Sequence, residues 1–393
     1  MSGTLNTFYN NINYALHLNG EALIRLQEQT STGSRINRVS DDPSTAHRVL
    51  VLNSQKASLE NYTNNLLDVS NMLELSSSTI EDIASILSEA RTRLTQIASG
   101  IYSDKSRNTA AEGINDLLQQ VVSLANTQQA REYLFGGGDS SAAPYSVERT
   151  DGEITRVTYQ GSYENRNTEV APGVSSSAFF VGQDIFRSDD RGEPFFLGDT
   201  GAKAGTGTSN VRGNLWLTVT GSGGDYRLSI DGGLSTFHTD GTDTNLAVTD
   251  SSTGEVLYVD TAQLSNAGTA LVQVPGTCDI FNTLITIRDM LRNENDLPHD
   301  QFQEAVDSAF ASLDEVSERL VQAQVSVGSK IGFLDDVKDS LENLTYNTED
   351  EETRLQEADI AQIAVELSRR EVLYEMSLSI AGKLLSLSLL DFL

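Results

Sequence analysis

Residues 59–101 read LENYTNNLLDVSNMLELSSSTIEDIASILSEARTRLTQIASGI, and Leu59, Tyr62, Leu66, Val69, Leu73, Ser76, Ile80, Ile83, Leu87, Ala90, Leu94, Ile97 and Ile101 recur in it at alternating steps of three and four. Only Ser76 is polar. This is a heptad seam, the spacing that keeps one helix face against a partner helix. A second seam lies far along the chain: Phe302, Val306, Ala309, Leu313, Val316, Leu320, Ala323, Val327, Lys330, Leu334, Val337, Leu341 and Leu344, with Lys330 the exception. Each seam spans 43 residues, about 60 Å of helix. Equal lengths predict an antiparallel pair, in which Ser76 lies opposite Val327 and within about one turn of Lys330. The innermost seam residues are Leu66, Leu73, Ile80, Leu87 and Leu94 on one helix and Leu320, Val327, Leu334 and Leu341 on the other.

Glycine and proline partition the rest of the chain. Of 30 glycines, 22 fall between Gly136 and Ile280, and no proline occurs between Pro43 and Pro144 or after Pro298. Long helices are therefore permitted at both ends, because an interior proline would cost about 3 kcal/mol. Asp42-Pro43 reads as an N-cap with proline in the first helical position. Thr109-x-x-Glu112 reads as the capping box of a third helix, and Thr348-x-x-Glu351 as that of the last. The acidic run Glu349 to Glu352 then reads as a solvated helix start. In the middle, Ile154, Val157 and Tyr159, then Leu215, Leu217 and Val219, then Tyr226, Leu228 and Ile230 alternate between turns such as Ser222-Gly223-Gly224-Asp225, which predicts short antiparallel strands. The fold class is mainly α with an inserted β region.

At the termini Leu5, Phe8, Ile12, Leu16, Leu23 and Leu26 form one apolar stripe. The closing LLSLSLLDFL, with Leu384, Leu387, Leu390 and Phe392, is apolar nearly all round. Neither has a partner in its own neighbourhood, and backbone ordering opposes an isolated helix. Both are expected to become ordered by packing against other helices in an assembly.

Composition narrows the function classes. Fifty-six acidic against 27 basic residues give a formal charge of −29, which argues against nucleic acid or an anionic membrane as partner. The charge is uneven: residues 1–60 hold five basic and five acidic residues, whereas residues 281–393 hold nine and 23. No stretch approaches the ~20 apolar residues of a spanning helix. The opening has neither the basic nor the apolar region of a cleaved signal peptide, so export would use another route. The single cysteine, Cys278, rules out an internal disulfide.

No chemistry presents itself. His17, His47, His238 and His299 are isolated, outside HExxH-type spacing. Gly205-Thr-Gly207-Thr-Ser-Asn210 lacks the third glycine of a dinucleotide fingerprint, and Thr239 to Asp250 lacks the order of an EF-hand loop. Gly136-Gly137-Gly138 reads as a break between helix and β region. No catalytic residue, metal ligand or cofactor is assigned.

Thr30 to Ser44, TSTGSRINRVSDDPS, closely resembles the signature of the flagellin family, which includes the hook-associated proteins; the matching positions are Gly33, Arg35, Ile36, Asn37, Asp41, Asp42 and Pro43. RLTQIASGIYSDKSRNTAAEGINDLLQQVVSLANT (residues 93–127) is similar to the family's helix, turn and helix. REYLFGGGDSSAAPY (131–145) is similar to the exit into a β region, and VAPGVSSSAFFVGQDIF (170–186) and DIFNTLITIRDMLRN (279–293) flank an insertion. The ending EADIAQIAVELSRREVLYEMSLSIAGKLLSLSLLDFL resembles that of junction members rather than filament flagellins.

The resemblance implies an inner assembly domain from residues 1–42 and 356–393. It implies a helical rod domain from 43–187 and 279–355, with β-hairpins at about 140–187, and an outer Gly-rich β domain at 188–278. It further implies an extracellular, non-enzymatic flagellar subunit joining a hook-associated protein to the flagellin filament. The implied partners are further copies of the chain, the neighbouring hook-associated protein, flagellin, an export chaperone and the type III export apparatus. A filament flagellin is the first alternative. A secreted enzyme with coiled-coil ends is the second.

Overall fold

The computed structural model describes residues 2–98, 103–293, 295 and 297–390, with side chains for residue 7 and, within those ranges, for 10–383. Among the described residues the helices are α1 (Ser2–Thr32), α2 (Pro43–Ala98), α3 (Asp104–Ala125), the short α4 (Gly182–Phe186), α5 (Ile280–Arg292), α6 (His299–Gln356) and α7 (Ile360–Leu390). They divide between two compact units, one comprising Met1–Asn64 with Val337–Leu393, the other Asn65–Asp336.

In the first unit α1 packs on α7. The start of α2 runs antiparallel to the end of α6, as two cross-helix ion pairs show: Arg48 with Glu351 at 2.9 Å and Lys56 with Glu349 at 2.7 Å. The acidic run is thus no helix start, since α6 passes through it and two of its carboxylates face bases on α2. Thr348 is buried in mid-helix and its hydroxyl donates to the Leu344 carbonyl. The last helix begins instead at Ile360, where the Asp359 carboxylate accepts the Gln362 N–H at 3.0 Å. Leu344 is 42% exposed. The apolar face turns past it from Leu341 to Thr348.

In the second unit the same two helices meet through Arg91, which pairs with Asp314 and lies over the Phe310 ring. The seams are dry: Leu66, Leu73, Ile80, Leu87, Leu94, Leu320, Val327 and Leu334 are all at most 2% exposed, and Leu341 in the first unit is equally buried. Ile101 lies outside the described residues. Ser76 is fully buried and satisfied by its own helix, donating to the Met72 carbonyl at 2.8 Å. Lys330 does not share that contact; its ammonium stands 4.6 Å from the Phe180 ring centre, and burial lowers its pKa.

Helix α3 starts earlier than Thr109. Ser103 is its N-cap, accepting the Ser106 N–H, and Asp104 stands in the first turn, where a carboxylate favours the helix dipole. Thr109 is interior and donates to Lys105. Helix α5 is capped by Asp279 and ends on Asn293 in the left-handed region, φ 53°. Its buried face, with Leu284, Ile287 and Leu291, packs on Ile114, Leu118 and Val121 of α3.

Between α3 and α5, apart from the short α4, the regular structure is antiparallel β. Three hairpins come first: β1 (Gln128–Gln129) with β2 (Glu132–Tyr133), β3 (Tyr145–Thr150) with β4 (Glu153–Tyr159), and β5 (Asn167–Ala171) with β6 (Val174–Ser177). The Gly136 to Gly138 run is packed tightly rather than being a loose break. Gly137 sits at φ 64°, and a Cβ there would come 2.2 Å from the Ser162 carbonyl.

Eight further strands follow: β7 (Phe195–Leu197), β8 (Lys203–Ala204), β9 (Gly213–Ser222), β10 (Asp225–Ser229), β11 (Phe237–Thr239), β12 (Leu246–Thr249), β13 (Val256–Asp260) and β14 (Gly268–Val274). They form one sheet in the order β11-β10-β9-β14-β7 and another in the order β12-β13-β8. The expected Ser222 to Asp225 turn joins β9 to β10. Leu217, Val219, Leu228, Val248, Leu257, Val259 and Val272 form a common core. Buried amides tie this layer to α6: Asn214 and Gln273 both donate to the Ser312 hydroxyl, at 2.9 and 3.0 Å. Glu315 accepts the N–H groups of Gly276 and Cys278, each at 2.9 Å.

Candidate assembly surface

The family-like stretch Thr30 to Ser44 folds into a corner that joins α1 to α2 and binds the α6–α7 crossing beside it. Gly33 ends α1 in the left-handed region, φ 70°, a conformation glycine adopts without steric penalty. Its N–H returns to the Gln29 carbonyl at 2.9 Å, and its own carbonyl accepts the Ala358 N–H at 3.0 Å. Ser34 bridges Glu357, and the Arg35 N–H donates to the Gln356 carbonyl at 2.7 Å. Ile36 is half-buried. The Asn37 amide donates to the Ser34 carbonyl at 3.3 Å.

Two adjacent carboxylates then turn the chain. Asp41 accepts the Asn37 and Arg38 N–H groups at 3.2 and 3.0 Å and pairs with Arg25 at 3.2 Å. Asp42 caps α2, accepting the Thr45 hydroxyl at 2.6 Å, the Thr45 N–H at 3.1 Å and the Ser44 hydroxyl at 2.9 Å. These bonds, led by the Thr45 hydroxyl and helped by Arg35 at 3.8 Å, hold its pKa down at about 2. Pro43 follows in the first turn, where a missing N–H leaves no helix bond unmade. Gly33, Arg35, Ile36, Asn37, Asp41, Asp42 and Pro43 thus come together as a structural corner. Their polar groups are occupied by the chain itself.

From that corner α1 and α7 run antiparallel. The Arg370 guanidinium donates to the Asn19 side chain at 3.0 Å, and Gly20 lies against the Tyr374 ring. Ile12, Leu16, Leu23 and Leu26 are half-buried, on the same side of α1 as buried Gln29. Ile363, Leu367, Tyr374 and Ala381 form the covered face of α7. The terminal helices therefore partner each other. The side chains of Leu5, Phe8, Leu384, Leu387 and Leu390, and Phe392 altogether, lie outside the described residues.

Pairing leaves α7 with a second apolar face. Val365, Val372, Met376 and Ile380 are 70, 55, 56 and 50% exposed. Their steps of seven, four and four place them on one side of the helix, opposite Ile363, Leu367 and Tyr374. On α1, Tyr14 and Leu18 are also exposed, at 67 and 45%. Covering the four α7 side chains would contribute roughly 3–8 kcal/mol per subunit. Sequence reasoning registered the apolar end but not these four; a helical projection of residues 360–383 displays both faces.

The histidines are dispersed: His17 faces Glu21 on α1, and His238 faces Asp225 across the β10–β11 pair. Cys278 is buried, its thiol pushed up to about 12, chiefly by desolvation.

Residues 5–138 match the family model of the bacterial flagellin N-terminal helical region. Flagellar hook-associated protein 3 of Escherichia coli (strain K12) is 29% identical over 162 residues, 41% of this chain and 49% of that protein. The chain spans about half the length of the curated relatives it matches. Among solved structures, flagellar hook associated protein-3 from Legionella pneumophila matches with a TM-score of 0.54 at 16% identity, covering 78% of this chain and 98% of that one. FlgL of Xanthomonas campestris matches with a TM-score of 0.51 at 19% identity, covering 76% and 98%. At such identities the structural likeness establishes a shared fold: mainly helical, with long terminal helices and an inserted antiparallel β region.

Proposed function

We propose that this chain, which carries a flagellin-type N-terminal helical region over residues 5–138, is a structural subunit of the bacterial flagellum standing between a hook-associated protein and the flagellin filament. The observation that carries the mechanism is the two-sided α7 helix. One apolar face is covered by α1, and the other, Val365, Val372, Met376 and Ile380, is open to solvent. Further copies of the chain, with the neighbouring hook-associated protein and flagellin at either end of the layer, would cover it. Folding of the terminal helices and polymerisation are then coupled, because the second face is buried only in the assembly.

Leu5, Phe8, Leu384, Leu387, Leu390 and Phe392 are proposed to extend the same interface. Subunits would reach the assembly site through the type III export apparatus, escorted by a chaperone and without a cleaved signal peptide. Residues 1–42 with 356–393 are proposed as the inner assembly domain, 43–187 with 279–355 as the helical domain, and 188–278 as the outer β domain. No catalytic role is assigned.

In situ labelling of the chain on intact flagella tests this placement. A single band at the base of the filament is expected. Signal along the whole filament would instead identify a filament flagellin and overturn the junction role.

A further inference from the structure

A cleft of about 480 Å³ opens in the second unit, between the β3–β4 hairpin, the start of α5 and the strands beyond residue 210. We infer that it binds a ring-sized organic anion of the sugar-acid class, with the carboxylate held by Arg187 and the ring against Tyr163. Its volume lies in the lower part of the ~300–1,000 Å³ range of small-molecule sites.

Three guanidinium groups line the cleft, and two are engaged. Arg156 donates to the Ser252 hydroxyl at 2.7 Å, and Arg212 pairs with Asp189 at 2.6 Å. Arg187 is partly buried, and among the described residues no side chain pairs with its guanidinium within ion-pair or hydrogen-bond distance. A partly buried guanidinium with no direct hydrogen-bond partner has its donors open to an anion.

The nearby carboxyls of Asp279 and Asp189 feel the charge of Arg187 but make no direct contact with it. Asp279 is committed to capping α5, accepting the Asn282 N–H at 2.7 Å, and burial raises its pKa. Glu255 is likewise raised by burial. At the mouth, Tyr163 is 68% exposed and meets Tyr159 edge-on at 5.6 Å. It offers an open ring face against which a sugar can stack.

The test uses the full chain with glucuronate as probe, and glucose and inorganic phosphate as comparators, read by calorimetry and saturation-transfer NMR. Glucuronate is expected to bind in the millimolar range or tighter and to be preferred over both comparators. R187Q should weaken it by about tenfold or more, the loss of one charge-assisted contact. Y163A, at an exposed position, should also weaken it while leaving the thermal melt unchanged. Absence of glucuronate binding to the unaltered chain, equal binding of glucose or phosphate, or full binding by both variants would overturn the assignment.

Discussion

Gly33 and Asp42 show how single residues set the course of the terminal helices. At φ 70° with open space around its Cα, Gly33 is required for its backbone conformation, not for packing. Gly33→Ala should therefore lower stability by about 1–2 kcal/mol, the left-handed penalty of an L-residue, and Gly33→Asn by less. Urea unfolding of the two variants measures the difference. Asp42 titrates lower in the folded chain than its ordinary 3.8, at about 2, because its carboxylate accepts bonds from Thr45 and Ser44. A depressed carboxyl stabilises the fold above its unfolded value and loses that contribution as pH falls toward the folded one. Melting temperature should drop between about pH 4 and 2, and D42A should show a shallower acid limb. The Asp-Pro cap was legible because its chemistry is local. The bonds of Asp41 to Asn37, Arg38 and Arg25 were not, since nothing in the spacing says which carboxylate turns inward.

Among the elements, the long helices were the most readable, because a heptad seam reports burial directly. Leu73, fully buried, and Leu344, 42% exposed, are both read as seam positions from their spacing. Leu73→Ala should cost about 2–5 kcal/mol, whereas Leu344→Ala should fall within about 0.5 kcal/mol of the parent. Chemical denaturation of the pair distinguishes true seam positions from apparent ones. Two capping boxes misled for one reason: Thr109 and Thr348 are threonines inside helices whose hydroxyls bond back to the preceding turn. A Ser/Thr-x-x-Glu spacing cannot tell a cap from that interior arrangement. The β insert was legible as strands and turns. Its sheet order, with β14 between β9 and β7, depends on pairings between strands far apart in the sequence, such as Gly268 with Val219 and Leu271 with Leu197, that alternation does not encode.

At the scale of the whole molecule, a net charge of −29 coexists with buried seams and an open apolar face on α7. Among the described residues no helix is long and apolar enough to cross a membrane. Ion pairs such as Arg48–Glu351 and Lys56–Glu349 join the near-neutral N-terminal segment to the acidic C-terminal one, but they lie at exposed or half-exposed positions. Salt should therefore change the melting of the isolated chain little. The terminal segments were recognised from the sequence as needing partners, and the family resemblance grouped them in one inner domain; the apolar face left over on α7 required the fold.

The most direct measurement replaces Val372 and Met376, both more than half exposed, with aspartate and asks whether the subunit enters flagella. The account predicts that V372D/M376D keeps the helical content and melting of the parent as an isolated chain, yet leaves hooks without attached filaments. Filaments of normal number and length on cells carrying only this variant would contradict it.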